Sequence, residues 1–163
     1  MLTTVRFLEL LALGLWLGGM VFFSFIVAPA AFALLPSREL AGNLVGLVLA
    51  RLYVLSYICG GAYLLCLVIE QRLTGGSRRA LVLPLGVVVV MLLLTLFNQY
   101  PLGERLFSLR SEMKAAFGSI DQTPAEHALR LRFNRYHRVS VLLMSANLLL
   151  ALGLLALTGR RLR

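Results

Sequence analysis

Few residues in this chain could do chemistry, and most of those lie inside or beside long apolar runs. Arg51 falls about two helical turns into one run, Asn98 and Gln99 end another, and His137, Ser140, Ser145 and Asn147 open the last. A polar group surrounded by hydrocarbon is costly, so each needs a partner, a ligand or an ion path. If the runs alternate up and down through a bilayer, all of these residues fall toward one membrane face. Tyr53 and Tyr57 share that end of their run, and Trp16 faces it from the first. The functional reading is one polar pocket near that face, lined by Arg51, Tyr53, Asn98, His137 and Asn147. Such a pocket would bind or pass a small molecule, an ion or a proton. The plainer reading is anchoring, in which Arg snorkels, Tyr joins the aromatic belt and Asn caps or bridges helices.

Other chemistries find little support. A haem or copper site in a membrane bundle needs at least two His, or His with Met, facing each other. The two histidines, His127 and His137, are ten residues apart on one helical stretch, with His127 outside the bilayer. They cannot clamp one metal within one chain. Cys59 and Cys66 lie about 10 Å apart along a helix, too far for a disulfide within it. No metal and no cofactor are expected. Hydrolase elbows, phosphate loops, zinc spacings and paired intramembrane carboxylates do not occur. Glu9 and Glu70 fall near the ends of spanning helices, on the side of the termini. Nothing here points to an enzyme with any specificity.

The elements that would position these residues follow from composition. The chain has 163 residues, 60% of them hydrophobic, and a mean hydropathy of +0.87. Soluble domains carry roughly 45–50% apolar residues, and a fold this small could not hide the excess from water. The net charge is +9, but the arginines cluster at the ends of apolar runs, where they meet lipid phosphates. That argues for a bilayer with anionic headgroups as partner and against nucleic acid.

Four apolar runs reach the length of about 20 residues that a spanning helix needs. They predict spans at about 7–35, 44–70, 80–100 and 136–158. The first is too long for the apolar region of a signal peptide, and Pro29 should kink it near its far end. Asn43 is the expected cap of the second, and Thr74, Gly75, Gly76 and Ser77 read as a tight turn. Between the third and fourth spans, Leu102, Leu106, Leu109, Met113 and Ala116 form a helical stripe that Gly118 stops. Thr123-Pro124-Ala125-Glu126 then reads as a capping box. A helical hairpin at about 102–137 is expected; the alternative is a pair of basic helices flat in the headgroup layer. The fold class is therefore all-α: an integral membrane four-helix bundle, up-down, with a hairpin extension between helices 3 and 4. Gly14-x-x-x-Gly18 and Gly42-x-x-x-Gly46 are helix-packing motifs, within the bundle or between copies. Arginines nearly tie between the two sides, and their tighter grouping near the termini leans toward both termini in the cytoplasm.

Trp16-Leu17-Gly18-Gly19 with Phe22, Phe25 and Ala28-Pro29 resembles the first helix of the transmembrane protein 205 family. Leu49 to Tyr57 resembles its second, with Ala50 where many members have Pro. Phe133-Asn134-Arg135-Tyr136-His137-Arg138-Val139-Ser140 is similar to the family's Phe-x-Arg-Tyr-His-Gly-x-Ser segment, with Arg138 in place of Gly. Members often carry an Asn about two turns after the His; here Asn147 comes slightly later. The resemblance implies a four-span protein of the bacterial cytoplasmic membrane without an assigned activity, its eukaryotic relatives being linked to drug resistance and vesicle traffic. A more distant similarity is to four-helix copper-resistance and protoporphyrinogen-oxidising membrane proteins, whose ligands the scarcity of His does not reproduce. Three functional classes follow. The first is a transport or binding protein, acting as a homo-oligomer or alone. The second is an accessory or structural subunit of a larger membrane complex. The weakest is a haem- or metal-dependent oxidoreductase.

Overall fold

The computed structural model describes residues 1–75 and 79–161. Gly76 and Ser77 of the expected turn, and Arg78 and Arg163 of the arginines at the ends of apolar runs, lie outside them. Four helices long and apolar enough to cross a membrane occur among the described residues: Leu2–Leu34, Arg38–Thr74, Leu81–Phe117 and Ala128–Arg161. They pack in sequence order around a common core, the first against the second and fourth, the third against the second and fourth. Leu47, Ile58, Leu65, Val82, Leu142 and Leu149 are each more than half exposed on the outside. In water such a surface would aggregate; against acyl chains it is solvated. The chain is a multi-pass integral membrane protein.

The inner faces follow helical steps of three and four. Val5, Glu9, Ala12, Leu13, Trp16 and Met20 line the first helix, and Asn147, Ala151, Leu154 and Thr158 the fourth. Trp16 is wholly buried and packs beside Gly60 of the second helix. A Cβ on Gly60 would come within 2.7 Å of Leu92 and 3.2 Å of Trp16. Residues 16, 60 and 92 therefore share one level, central to the apolar runs. Taken as the bilayer midplane, it allows depths to be counted at about 1.5 Å per residue.

Two prolines are absorbed by π-helical turns. Phe23–Val27 forms one just before Pro29, and Asn98–Leu102 forms another around Pro101. The wider turn accommodates a residue without an amide donor and keeps the rest of the backbone bonded. The third helix thereby continues α-helical through Gly103–Phe117. It packs along the fourth, so the two form a helical hairpin. Gly75 and Gly118 close their helices with positive φ, 61° and 82°, which suits glycine.

Two expected helix starts are corrected. The second helix begins at Arg38, six residues before the expected Leu44. Ser37 caps it, its hydroxyl accepting from Leu40 N at 3.1 Å, and Asn43 lies inside the helix. The capping box at Thr123 does not form. The Thr123 hydroxyl donates to Ser119 O at 2.9 Å instead. His127 precedes the fourth helix, and its Nδ1 accepts from Leu129 N at 3.3 Å.

The early start of the second helix has a long-range cause. Asp121, in the hairpin tip, accepts from Arg38 N and Glu39 N at 3.3 Å each. Lys114 pairs with Glu39 at 3.3 Å. The Arg110 guanidinium lies over Gly42, where a Cβ would come within 2.5 Å of it, and caps the Phe133 ring at 5.5 Å. The hairpin is thus docked on the extended N-terminal end of the second helix. Asp121→Ala should cost about 1 kcal/mol, the usual worth of a side-chain cap, and speed amide exchange at Arg38 and Glu39. Exchange rates there equal to wild type, read by hydrogen–deuterium exchange mass spectrometry, would refute the docking.

Candidate functional site

The densest polar site lies at the terminal ends of the bundle. Glu9 continues the inner stripe of the first helix, and its side chain is fully buried. Glu70 continues that of the second, after Tyr63, Cys66 and Leu67. Arg161 stands three residues after Thr158 on the fourth. The helices bring these together. Arg161 Nη2 pairs with Glu9 Oε1 and, at 3.1 Å, with Glu70 Oε2. Arg6 Nε donates to Glu70 Oε1 at 2.7 Å. The Tyr63 hydroxyl is hydrogen-bonded to the Thr158 hydroxyl at 2.7 Å and stands within electrostatic reach of Glu9. Two guanidiniums balance two carboxylates, so the cluster is neutral, as burial requires. Glu9 Oε2 and Arg161 Nε are buried without a hydrogen-bond partner.

A second set of polar groups follows the seam between the third and fourth helices. Asn147 Nδ2 donates to Thr95 Oγ1 at 2.9 Å and to Met91 O at 3.3 Å. Thr95 in turn donates to Met91 O at 2.9 Å. Closer to the hairpin, Asn98 Nδ2 donates to Ser140 O at 3.2 Å. Each amide leaves its Oδ1 buried and unpartnered. Tyr57 donates to Gln99 Oε1 at 2.7 Å, tying the second helix to the third.

Of the five residues proposed from sequence, Asn98 and Asn147 thus share one seam. Tyr53 is buried on the inner face of the second helix. Arg51 and His137 are exposed, and the His137 ring stacks on Phe133 with centroids 6.0 Å apart. Among the described residues no hydrogen bond joins any two of the five. Of the packing glycines, Gly42 is covered by Arg110, whereas Gly14, Gly18 and Gly46 have nothing within 4 Å of an added Cβ. No three His, Cys, Asp or Glu converge on a metal position among the described residues. The ionic cluster was not singled out from sequence, although a signal was present. Glu9 is two turns before Trp16 and Glu70 two turns after Tyr63, each in phase with a buried aromatic.

Asn147 acts as cross-helix glue. Asn147→Leu removes its two interhelical bonds together with the unpartnered oxygen, and should cost no more than about 2 kcal/mol, the range of interhelical polar contacts in membranes. Equilibrium unfolding in mixed detergent measures this. A loss several times larger would mean that the amide holds more than this seam.

Comparison with known proteins adds one match. The family model of a domain of unknown function, DUF4149, covers residues 11–115. No curated protein and no solved structure matches. The matched stretch runs from the first helix almost to the end of the third and takes in Trp16, Gly60 and Glu70. With more than half of its length inside that model, the chain belongs to the DUF4149 family.

Proposed function

We propose that this chain is a small transport or binding protein in which Glu9 carries a proton-coupled step. Its setting is the bacterial cytoplasmic membrane, with both termini in the cytoplasm. One observation carries the reading. Glu9 is fully buried about 10 Å from the midplane, inside the hydrocarbon layer, with one oxygen on Arg161 and the other unpartnered. Ionisable side chains at such depth mark proton and ion paths. The pairing also has two arrangements. Arg161 bridges Glu9 and Glu70, and Glu70 is held independently by Arg6. A proton on Glu9 Oε2 removes one attraction on Arg161 and leaves the guanidinium to Glu70. Arg161 is the last described residue of the fourth helix, so proton occupancy biases where that part of the helix sits. The Tyr63–Thr158 hydroxyl pair stands beside the carboxyl as a proton donor and acceptor.

The resemblance of Phe133–Ser140 to the transmembrane protein 205 family supports a membrane role of this kind, since its eukaryotic members are linked to drug resistance and vesicle traffic. That segment lies beyond the residues matched by the family model. The accessory-subunit reading draws on a different observation, the open outer faces at Gly14, Gly18 and Gly46. There another helix could approach closely. Native mass spectrometry from gentle detergent separates the two, because a second polypeptide at fixed stoichiometry would favour the subunit.

The proton reading is tested in vesicles holding a pH-sensitive dye under an imposed membrane potential. Wild-type protein should carry protons at least about tenfold faster than Glu9→Gln, a minimal effect for a lost proton-transfer group. Glutamine keeps the shape and fixes the uncharged state, and Arg161 retains Glu70, so both proteins should fold alike by circular dichroism. Equal flux, or wild-type flux no greater than in protein-free vesicles, would remove Glu9 from this role.

A further inference from the structure

At the opposite end of the bundle, where the hairpin leaves the membrane, the third and fourth helices enclose a groove of about 340 Å³. Arg105 enters from the third helix, and Arg132, Arg135 and Tyr136 from the fourth. None of the three arginines forms an ion pair among the described residues. The other polar groups in the wall are Ser108 and Glu112, and they are bonded to each other, Ser108 Oγ donating to Glu112 Oε1 at 3.1 Å. The groove therefore carries a net charge of +2. Val139 forms its membrane-side end.

Depth decides what such a groove would hold. Counted along each helix, Arg105 is about 20 Å beyond Leu92, and Arg135 and Arg132 are about 18 and 22 Å beyond Asn147, which bonds to Met91 beside Leu92. The hydrocarbon half-layer ends at about 15 Å, and the headgroup region extends a further 5–8 Å or so. With Leu92 taken as the midplane, the three guanidiniums fall at the level of the phosphate layer. Snorkelling arginines spread around a helix perimeter; these converge from two helices into one concavity. Guanidinium forks match phosphate oxygens bidentately, and the Tyr136 hydroxyl is a further donor. The volume falls at the lower end of the range of small-ligand sites.

We propose that this groove is a specific site for an anionic phospholipid. Its phosphate is held by Arg105, Arg132 and Arg135, and its acyl chains descend past Val139. The excess of two positive charges favours a headgroup bearing two phosphates over one bearing a single phosphate. The site is independent of the Glu9 cluster, which lies at the other membrane face.

Full-length protein in a mild detergent is titrated with a diphosphatidyl lipid, a monophosphate anionic lipid and a zwitterionic lipid of the same acyl chains, and bound lipid is counted by native mass spectrometry. One diphosphatidyl lipid should be retained per chain, with the zwitterionic lipid bound at least about tenfold more weakly, as each surface arginine contributes appreciably to anionic-lipid affinity. R105Q/R132Q/R135Q should lose that preference, and R38Q/R72Q/R160Q, which removes equal charge from exposed positions outside the groove, should keep it. Equal retention of all three lipids, or equal loss in both triple variants, would overturn the proposal. So would full competition by millimolar glycerol phosphate, which would assign the groove to a soluble phosphate.

Discussion

Inside the hydrocarbon layer a polar group has no water to fall back on, and this lack shapes the whole molecule. Backbone amides close within helices, and the π turns at Phe23–Val27 and Asn98–Leu102 keep that closure nearly continuous past two prolines. Side chains meet the same demand by turning inward. Serine and threonine hydroxyls bond back to carbonyls four residues earlier, as Ser56 does to Leu52 and Thr95 to Met91. Asn98 and Asn147 bond across one helix seam. Where carboxylates are buried they are balanced, Glu9 and Glu70 meeting Arg6 and Arg161 at the ends of three helices. The usual surface of a soluble protein is reversed: leucines and valines face outward, while the interior stays mainly apolar around its few polar groups.

That reversal also explains why the bundle is held differently at its two ends. At the terminal end the first, second and fourth helices are joined by charge, because Glu9 is fully buried and Arg161 takes the place of water. At the hairpin end the helices extend beyond the hydrocarbon, and solvated contacts suffice. There Asp121 accepts from the first amides of the second helix, Lys114 pairs with Glu39, and Arg110 fits over Gly42. Exposed pairs of this kind are individually weak. Their joint effect is to fix one register between the hairpin and the second helix, since a side chain at residue 42 larger than hydrogen would displace the guanidinium.

The spans were legible because four long apolar runs admit few other solutions, and the hairpin because a stripe at helical spacing continues past Pro101. The start of the second helix was not. Asn43 is a competent cap locally, but Ser37 followed by Asp121 from more than eighty residues away draws the helix six residues outward. No local pattern encodes a cap delivered by a distant loop. Thr123 failed as a capping box for a local reason: residues 124–127 are not helical and the helix starts only at Ala128, so no helical amides follow directly for it to cap. Asn98 and Asn147 could be recognised as intramembrane polar residues. That each would satisfy itself on the neighbouring helix, rather than join Arg51 and His137, depends on rotations a single sequence does not specify. Taken one at a time, Glu9 and Glu70 read only as carboxylates near helix ends. Their phase with Trp16 and Tyr63 shows them on buried stripes, and a buried carboxylate demands a cation.

The two charged regions differ in a way that bears on their roles. In the terminal cluster every carboxylate meets a guanidinium, and what remains unmet is a single carboxylate oxygen and a single guanidinium nitrogen, both out of contact with solvent. A site of that kind has room for a change no larger than a proton. In the hairpin groove the cations outnumber the anion three to one, and the only carboxylate is occupied by Ser108. What is unmet there is net charge at the level of the lipid phosphates, which calls for an anion of phosphate size. On the two proposals made above, one end of the bundle would alter its internal pairing and the other would hold a lipid of the leaflet. Such a division suits a protein whose fourth helix, running from Arg132 and Arg135 to Arg161, joins the two.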